Sequence, residues 1–207
     1  MKKAIVIDLD GTLFNTNTFE KYIIFVCICA LRNFDFYTAF SLPFFVILRK
    51  IRLISTHERL KYLILKSAKK YSNEDKMQEL AKKLREFENS KVVAIMGQYR
   101  SEGYSIMLST AAPEVYAKNV ASLYGFDFYR ASEMPLGKDW RENVNERKRD
   151  NTLNSLKEKG CELSVLITDH YDDLPLLSMP KELNYVVNPS QKTLQQLNEN
   201  NIIYKLL

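Results

Sequence analysis

Ile5-Val6-Ile7-Asp8-Leu9-Asp10-Gly11-Thr12-Leu13 begins as an apolar, β-branched run and stops at two aspartates one residue apart. Such a run reads as a buried parallel strand. Ligands in open α/β sheets sit at the carboxyl ends of strands, so both carboxylates fall where chemistry happens. The backbone turns at Gly11, which lets Asp8 and Asp10 converge on one point. Two carboxylates brought that close repel unless a cation or a shared proton relieves them. A hard divalent cation with oxygen ligands, Mg²⁺, is the simplest relief.

Outward from this stretch, two more apolar strands end in polar groups. Tyr104-Ser105-Ile106-Met107-Leu108 runs into Ser109-Thr110-Ala111-Ala112-Pro113, with Pro113 placed for the first turn of a helix that stops at Gly125. Ser164-Val165-Leu166-Ile167-Thr168 runs into Asp169-His170-Tyr171-Asp172-Asp173. Short strands are expected at residues 126–132, 185–187 and near 202–206, and helices over 90–103, 146–159, 174–177 and through Leu194 and Leu197. Residues 134–145 read as a polar excursion. Alternating strands and helices predict an α/β fold, a Rossmann-like parallel sheet with helices on both faces.

Residues 15–89 interrupt that alternation. Thr16, Asn17 or Thr18 would cap a first helix, and Asn73 lies in a cap-and-turn before Met77, Leu80, Ala81 and Leu84, which share a helix face. Tyr22–Leu31 and Phe36–Leu48 carry no charge except Asp35 and Arg32 between them, and Arg49, Lys50 and Arg52 close the second run. Each run is shorter than the ~18–20 apolar residues that span a bilayer, and Pro43 breaks the second. The segment is read as an all-α cap inserted into a core made of residues 1–14 and 90–207. A hairpin dipping into a membrane interface and an apolar dimer surface are the alternatives.

The motif set resembles the haloacid dehalogenase superfamily of phosphohydrolases, in its phosphoserine-phosphatase-like branch with a helical cap after the first motif. Asp8-Leu9-Asp10-Gly11-Thr12 matches the first motif, Ser109 the second, Lys148 the third, and Asp169 to Asp173 the acidic fourth. The resemblance implies a Mg²⁺-dependent phosphate monoester hydrolase. In it Asp8 would be the nucleophile and form an aspartyl-phosphate. Asp10 would be the general acid and base and lend its backbone carbonyl to the metal. Ser109 would donate to phosphate, and Lys148 would hold the charge of Asp8 and phosphate as a point cation. Asp8, Asp10, Asp169 and Asp173 would form the metal site, with Asp173 holding metal-bound waters or fixing Lys148. Gly11, Thr12 and Thr110 would bind substrate.

Two departures matter. Thr168-Asp169-His170 stands where the family usually has Gly-Asp-Ser, and His170 is read as filling the turn. Asn17 stands near where phosphoserine phosphatases carry an acid for the substrate amine, which argues against phosphoserine. The apolar cap suggests a phosphorylated metabolite with an apolar part. A phosphotransferase on the same fold and a non-catalytic, membrane-associated binding protein are the rival functions.

Composition adds exclusions. A formal net charge of +5 is too modest to single out nucleic acid, and the lysines of residues 56–85 read as a solvated helix face. Three cysteines, Cys27, Cys29 and Cys161, with no Cys-x-x-Cys pair, suggest a reducing compartment. Met1-Lys2-Lys3 mimics a signal start, but Asp8 ends the apolar run too early for one, so a cytoplasmic protein with at most peripheral membrane contact is expected.

Overall fold

The computed structural model describes residues 1–134 and 140–207; part of the polar excursion, 135–139, lies outside the described residues. Six strands form one sheet in the order β3-β2-β1-β4-β5-β6, every pair parallel. They are β1 Lys2–Ile7, β2 Ser105–Pro113, β3 Phe128–Ser132, β4 Cys161–Thr168, β5 Leu183–Val186 and β6 Lys205–Leu206. The expected strand near 202–206 is thus only two residues long. Strand order reverses at β1, between β2 and β4, the place where open α/β sheets leave a crevice.

Register puts the chemistry-bearing ends level. Ile7 pairs with Leu108 of β2 and with Ile167 of β4, so Asp8, Ser109 and Thr168 leave the sheet at one rim. Side-chain alternation then sorts the faces. Ile5 and Ile7 pack with Ile106, Leu108, Val165 and Ile167 in one apolar cluster. Ala4 and Val6 pack with Met107, Leu166 and Leu156 in the other. Leu156 belongs to a helix over Asn145–Glu158, called α7 in chain order, so the even residues of β1 face α7.

Five α-helices lie between β1 and β2, and the first four are α1 Thr18–Arg32, α2 Phe36–Lys50, α3 His57–Ala68 and α4 Glu74–Leu84. Asn17 and Asn73 cap α1 and α4, each side chain accepting the amide three residues on. Pro43 does not end its run: α2 continues through it. A proline removes one intrahelical donor, and here Thr38, Ala39 and Leu42 hold the helix by burying its inner face. The inward faces of these helices share the first cluster with the sheet, through Phe19, Tyr22, Leu42, Ile64, Met77 and Leu80. α5 Ser90–Ser101 and α6 Glu114–Leu123 lie on either side of β2 in sequence, and α8 Leu174–Leu177 and α9 Gln191–Glu199 flank β5. Among the described residues no helix is long and apolar enough to cross a membrane. Cys27, Cys29 and Cys161 are all unpaired thiols.

Candidate active site

A cleft of about 280 Å³ opens at the rim where β1, β2 and β4 end. Asp8, Asp10, Asn17, Thr110, Lys148, Asp169 and Asp173 are among its lining. Asp8 lies on the α7 side by the alternation of β1, and α7 delivers Lys148 to it. The Lys148 ammonium donates to Asp8 Oδ1 at 2.8 Å and to Asp173 Oδ2 at 2.7 Å. All three side chains are buried. The neighbouring arginine Arg149 instead pairs with exposed Asp150, which selects Lys148 as the cation of the cleft.

Charge in the cleft is unbalanced. Burial pushes Asp8 up to about 8; Lys148 opposes this, while Asp173 and Asp169 reinforce it. Burial also drives Asp169 up to about 6, against His170 and with Asp173. Lys148 is itself raised, because Asp173 and Asp8 outweigh the burial that disfavours its charge. Asp10 is raised by burial, although the Thr18 amide donates to its Oδ1 at 2.6 Å. That amide opens α1, so the positive end of a helix faces the Asp10 carboxylate.

Asp173 is occupied as a clamp: besides Lys148 it accepts from Thr168 Oγ1 at 2.6 Å. Asn17 lines the cleft with its oxygen already engaged by the Glu20 amide. His170 Nδ1 accepts from the Asp172 amide at 3.2 Å, which ties the ring into its own turn.

Three of the expected residues lie outside the cleft lining. Ser109 is fully buried and its hydroxyl pairs with Thr152 Oγ1 on α7 at 2.7 Å, so Thr110 and not Ser109 lines the cleft. By alternation Ser109 follows Met107 on the α7 face of β2, where Thr152 of α7 covers it. Thr12 is fully buried, with a hydroxyl that finds no partner among the described residues. Neither Thr12 nor Gly11 is part of the cleft lining. Gly11 instead clears space: its φ is +69°, and a Cβ there would lie 2.2 Å from Asp169 Oδ2. Gly11→Ala is therefore expected to cost about 1–2 kcal/mol in backbone strain alone and to turn the Asp169 carboxylate away. A urea midpoint that does not move would show that this turn is not strained.

The acids do not close into a cage: among the described residues no three His, Cys, Asp or Glu side chains are grouped to hold a metal ion. They still suit Mg²⁺. Every charged acceptor lining the cleft is a carboxylate, and burial holds Asp8 and Asp169 above their ordinary range, with Asp173 adding to it. Mg²⁺ is commonly held by one or two carboxylates, with water and substrate phosphate completing its shell, so an open pair fits it.

Sequence reasoning missed the brace behind Thr110. Lys61 of α3, itself buried, donates to Glu142 Oε2 at 2.6 Å and to the Ala111 carbonyl at 3.2 Å. Asn143 Nδ2 donates to the Thr110 carbonyl and Ser132 Oγ to that of Ala111. Burial works against the Glu142 charge, but His57 and Lys61 hold its carboxyl below the usual range. No local motif signals these pairs, whose partners come from separate elements.

The sequence model described as haloacid dehalogenase-like hydrolase matches residues 5–178. No curated protein matches. Among solved structures, a Bordetella pertussis Tohama I protein of unknown function is 16% identical, with all of this chain and 98% of that one covered and a TM-score of 0.76. A phosphoserine phosphatase solved as a phospho-aspartyl intermediate analogue is 12% identical over 99% of this chain and 92% of its own, at TM-score 0.58. A phosphoserine phosphohydrolase-like protein from Francisella tularensis subsp. tularensis SCHU S4 is 13% identical over 99% and 94%, at TM-score 0.56. At these identities the likeness is one of fold.

Proposed function

The chain belongs to the haloacid dehalogenase-like hydrolases, and from that membership we propose that it is a Mg²⁺-dependent phosphatase that cleaves a phosphate monoester through an aspartyl-phosphate. The observation that carries the reading is Lys148 bridging Asp8 and Asp173 at the rim where Asp10 and Asp169 also line the cleft. A structural likeness to a phosphoserine phosphatase solved as a phospho-aspartyl analogue supports it. We read residues 1–14 and 90–207 as the core domain and 15–89 as a helical cap, and the free thiols as those of a cytoplasmic protein.

In the first half-reaction an Asp8 carboxylate oxygen attacks phosphorus and the bond to the leaving oxygen breaks. Asp10, whose raised pKa keeps a proton at hand, gives that proton to the leaving alcohol. In the second, water attacks the same phosphorus, Asp10 takes its proton, and the bond to Asp8 breaks. A carboxylate is a weak nucleophile, so the split into two steps and the neutralisation of phosphate charge carry most of the rate. Lys148 supplies fixed positive charge beside Asp8, and Asp173 with Thr168 keeps its ammonium in place. Thr110 stands at the cleft wall as the hydroxyl available to a phosphate oxygen. Asp8, Asp169 and the Asp10 backbone carbonyl would hold Mg²⁺, which supplies Lewis-acid polarisation and charge neutralisation when bound.

The cleft lining is polar apart from Ala111 and Val144, so it suits the phosphate and a small polar head. An apolar part of the substrate would lie outside it. The reading is tested with a chromogenic aryl phosphate. Turnover is expected to fall to background in chelator and to return with added Mg²⁺. Undiminished turnover in chelator would remove the metal from the reaction, and no turnover under any condition would favour the binding-protein alternative.

A further inference from the structure

Helix α2 carries an apolar stripe that nothing among the described residues covers. Phe36, Phe40, Phe44, Ile47 and Ile51 recur at helical spacing along it and past its end, and each is more than half exposed. The opposite face, with Thr38, Ala39 and Leu42, is the one the core buries. Neighbouring α1 shows a second exposed row, Ile24, Ile28 and Leu31. Phe34, in the turn joining the two helices, and Tyr37, in the first turn of α2, are each more than four-fifths exposed. Packing of the core explains none of these side chains, and apolar patches of this extent mark interaction surfaces.

Charge around the stripe selects the occupant. Between residues 21 and 57 the cations are Lys21, Arg32, Arg49, Lys50 and Arg52, and the single acid is Asp35. Asp35 is already engaged: it accepts from the Thr38 amide, the Tyr71 hydroxyl and the Lys70 ammonium. A second copy of the chain docked here would set the same patch against itself. The cations of both copies would then meet with no unengaged acid to pair them. An anionic lipid surface answers both properties, with acyl chains for the stripe and headgroups for the basic side chains. α2 has 15 residues, about 22 Å at helical rise, which is short of the ~30 Å hydrocarbon core. The helix would therefore lie in the interface plane, with Arg49, Lys50 and Arg52 reaching to the headgroups.

We propose that the outer face of the α1–α2 hairpin is a docking surface for an anionic phospholipid bilayer. α1 also starts at the cleft, where its Thr18 amide holds Asp10, so docking would bring the phosphate site to the membrane. The docking itself is independent of the phosphatase reading, because vesicle binding is measured without turnover.

The test is co-sedimentation of the full chain with vesicles of equal parts phosphatidylcholine and phosphatidylglycerol. Wild-type protein is expected to pellet with them, to bind phosphatidylcholine vesicles at least about tenfold more weakly, and to be released by high salt. Arg49→Gln with Lys50→Gln is expected to weaken binding about thirtyfold. Phe40→Glu with Phe44→Glu should abolish it, with the thermal midpoint and aryl phosphate turnover unchanged. Absence of wild-type pelleting would overturn the proposal. So would equal binding to both vesicle types, or a wild-type dimer that the Phe40→Glu/Phe44→Glu chain cannot form.

Discussion

Asp8→Asn is expected to lower turnover by at least about 10⁴-fold, the scale seen when a group that makes the covalent intermediate is removed. The amide keeps the shape of the carboxylate but cannot attack phosphorus. Stability is expected to move the other way or not at all. Asp8 is raised to about 8 from an ordinary 3.8, chiefly by burial. A carboxyl raised in the folded state contributes stability that is complete below its unfolded pKa and is lost as pH climbs through the folded one. Asparagine has no charge to bury, so the variant should hold its midpoint at pH 5 and match or exceed wild type at pH 8. Lys148 keeps Asp173 as a partner throughout. Initial rates on an aryl phosphate and thermal melts at the two pH values check both halves. Wild-type turnover in the variant would remove Asp8 from the chemistry.

Lys148→Met is expected to cost both activity and about 3–5 kcal/mol of stability, because it strips the cation from two buried carboxylates. The loss should depend on pH with a definite sign. Without the ammonium, which pulls it down, Asp8 moves further above its ordinary value, so the folded state binds its proton more tightly still. The gap in unfolding free energy between wild type and variant should then stay nearly constant at lower pH and widen as pH climbs through the wild-type Asp8 value of about 8. Arg149→Met, which removes a pair with exposed Asp150, is the control, with an effect of about 0.5 kcal/mol or less. Urea midpoints at three pH values separate these cases. A gap that narrows as pH rises would mean that Lys148 is not what holds the acids.

The two variants probe a pairing that sequence could only half reach. The lysine was legible through the family resemblance, as the best candidate beside Arg147 and Arg149, with its register left open. Which one arrives is a matter of helix phase against the sheet, and only packing fixes that. The placing of Ser109 against Thr152 was out of reach for a related reason. A strand read as apolar residues ending in hydroxyls does not say which hydroxyl comes last on which face. Strand β2 runs on to Pro113 with a register shift after Ser109. Ser109 stays on the α7 face, and Thr110 turns to the cleft.

Local periodicity was enough for the order of strands and helices along the chain, for cap positions to within a few residues, for the turn at Gly11 and for the acids at the ends of β1 and β4. Each depends on residues within a few positions of one another. The sequence showed that the runs around Phe36 and Ile47 are apolar, but not that half of that apolarity faces outward. Tertiary structure alone decided three things: that Asp173 clamps Lys148, that Lys61 and Glu142 brace the loop after β2, and that α2 turns its phenylalanines to solvent. Those are pairings between distant parts of the chain, chosen by burial and charge once the elements had met, and no local pattern encodes them.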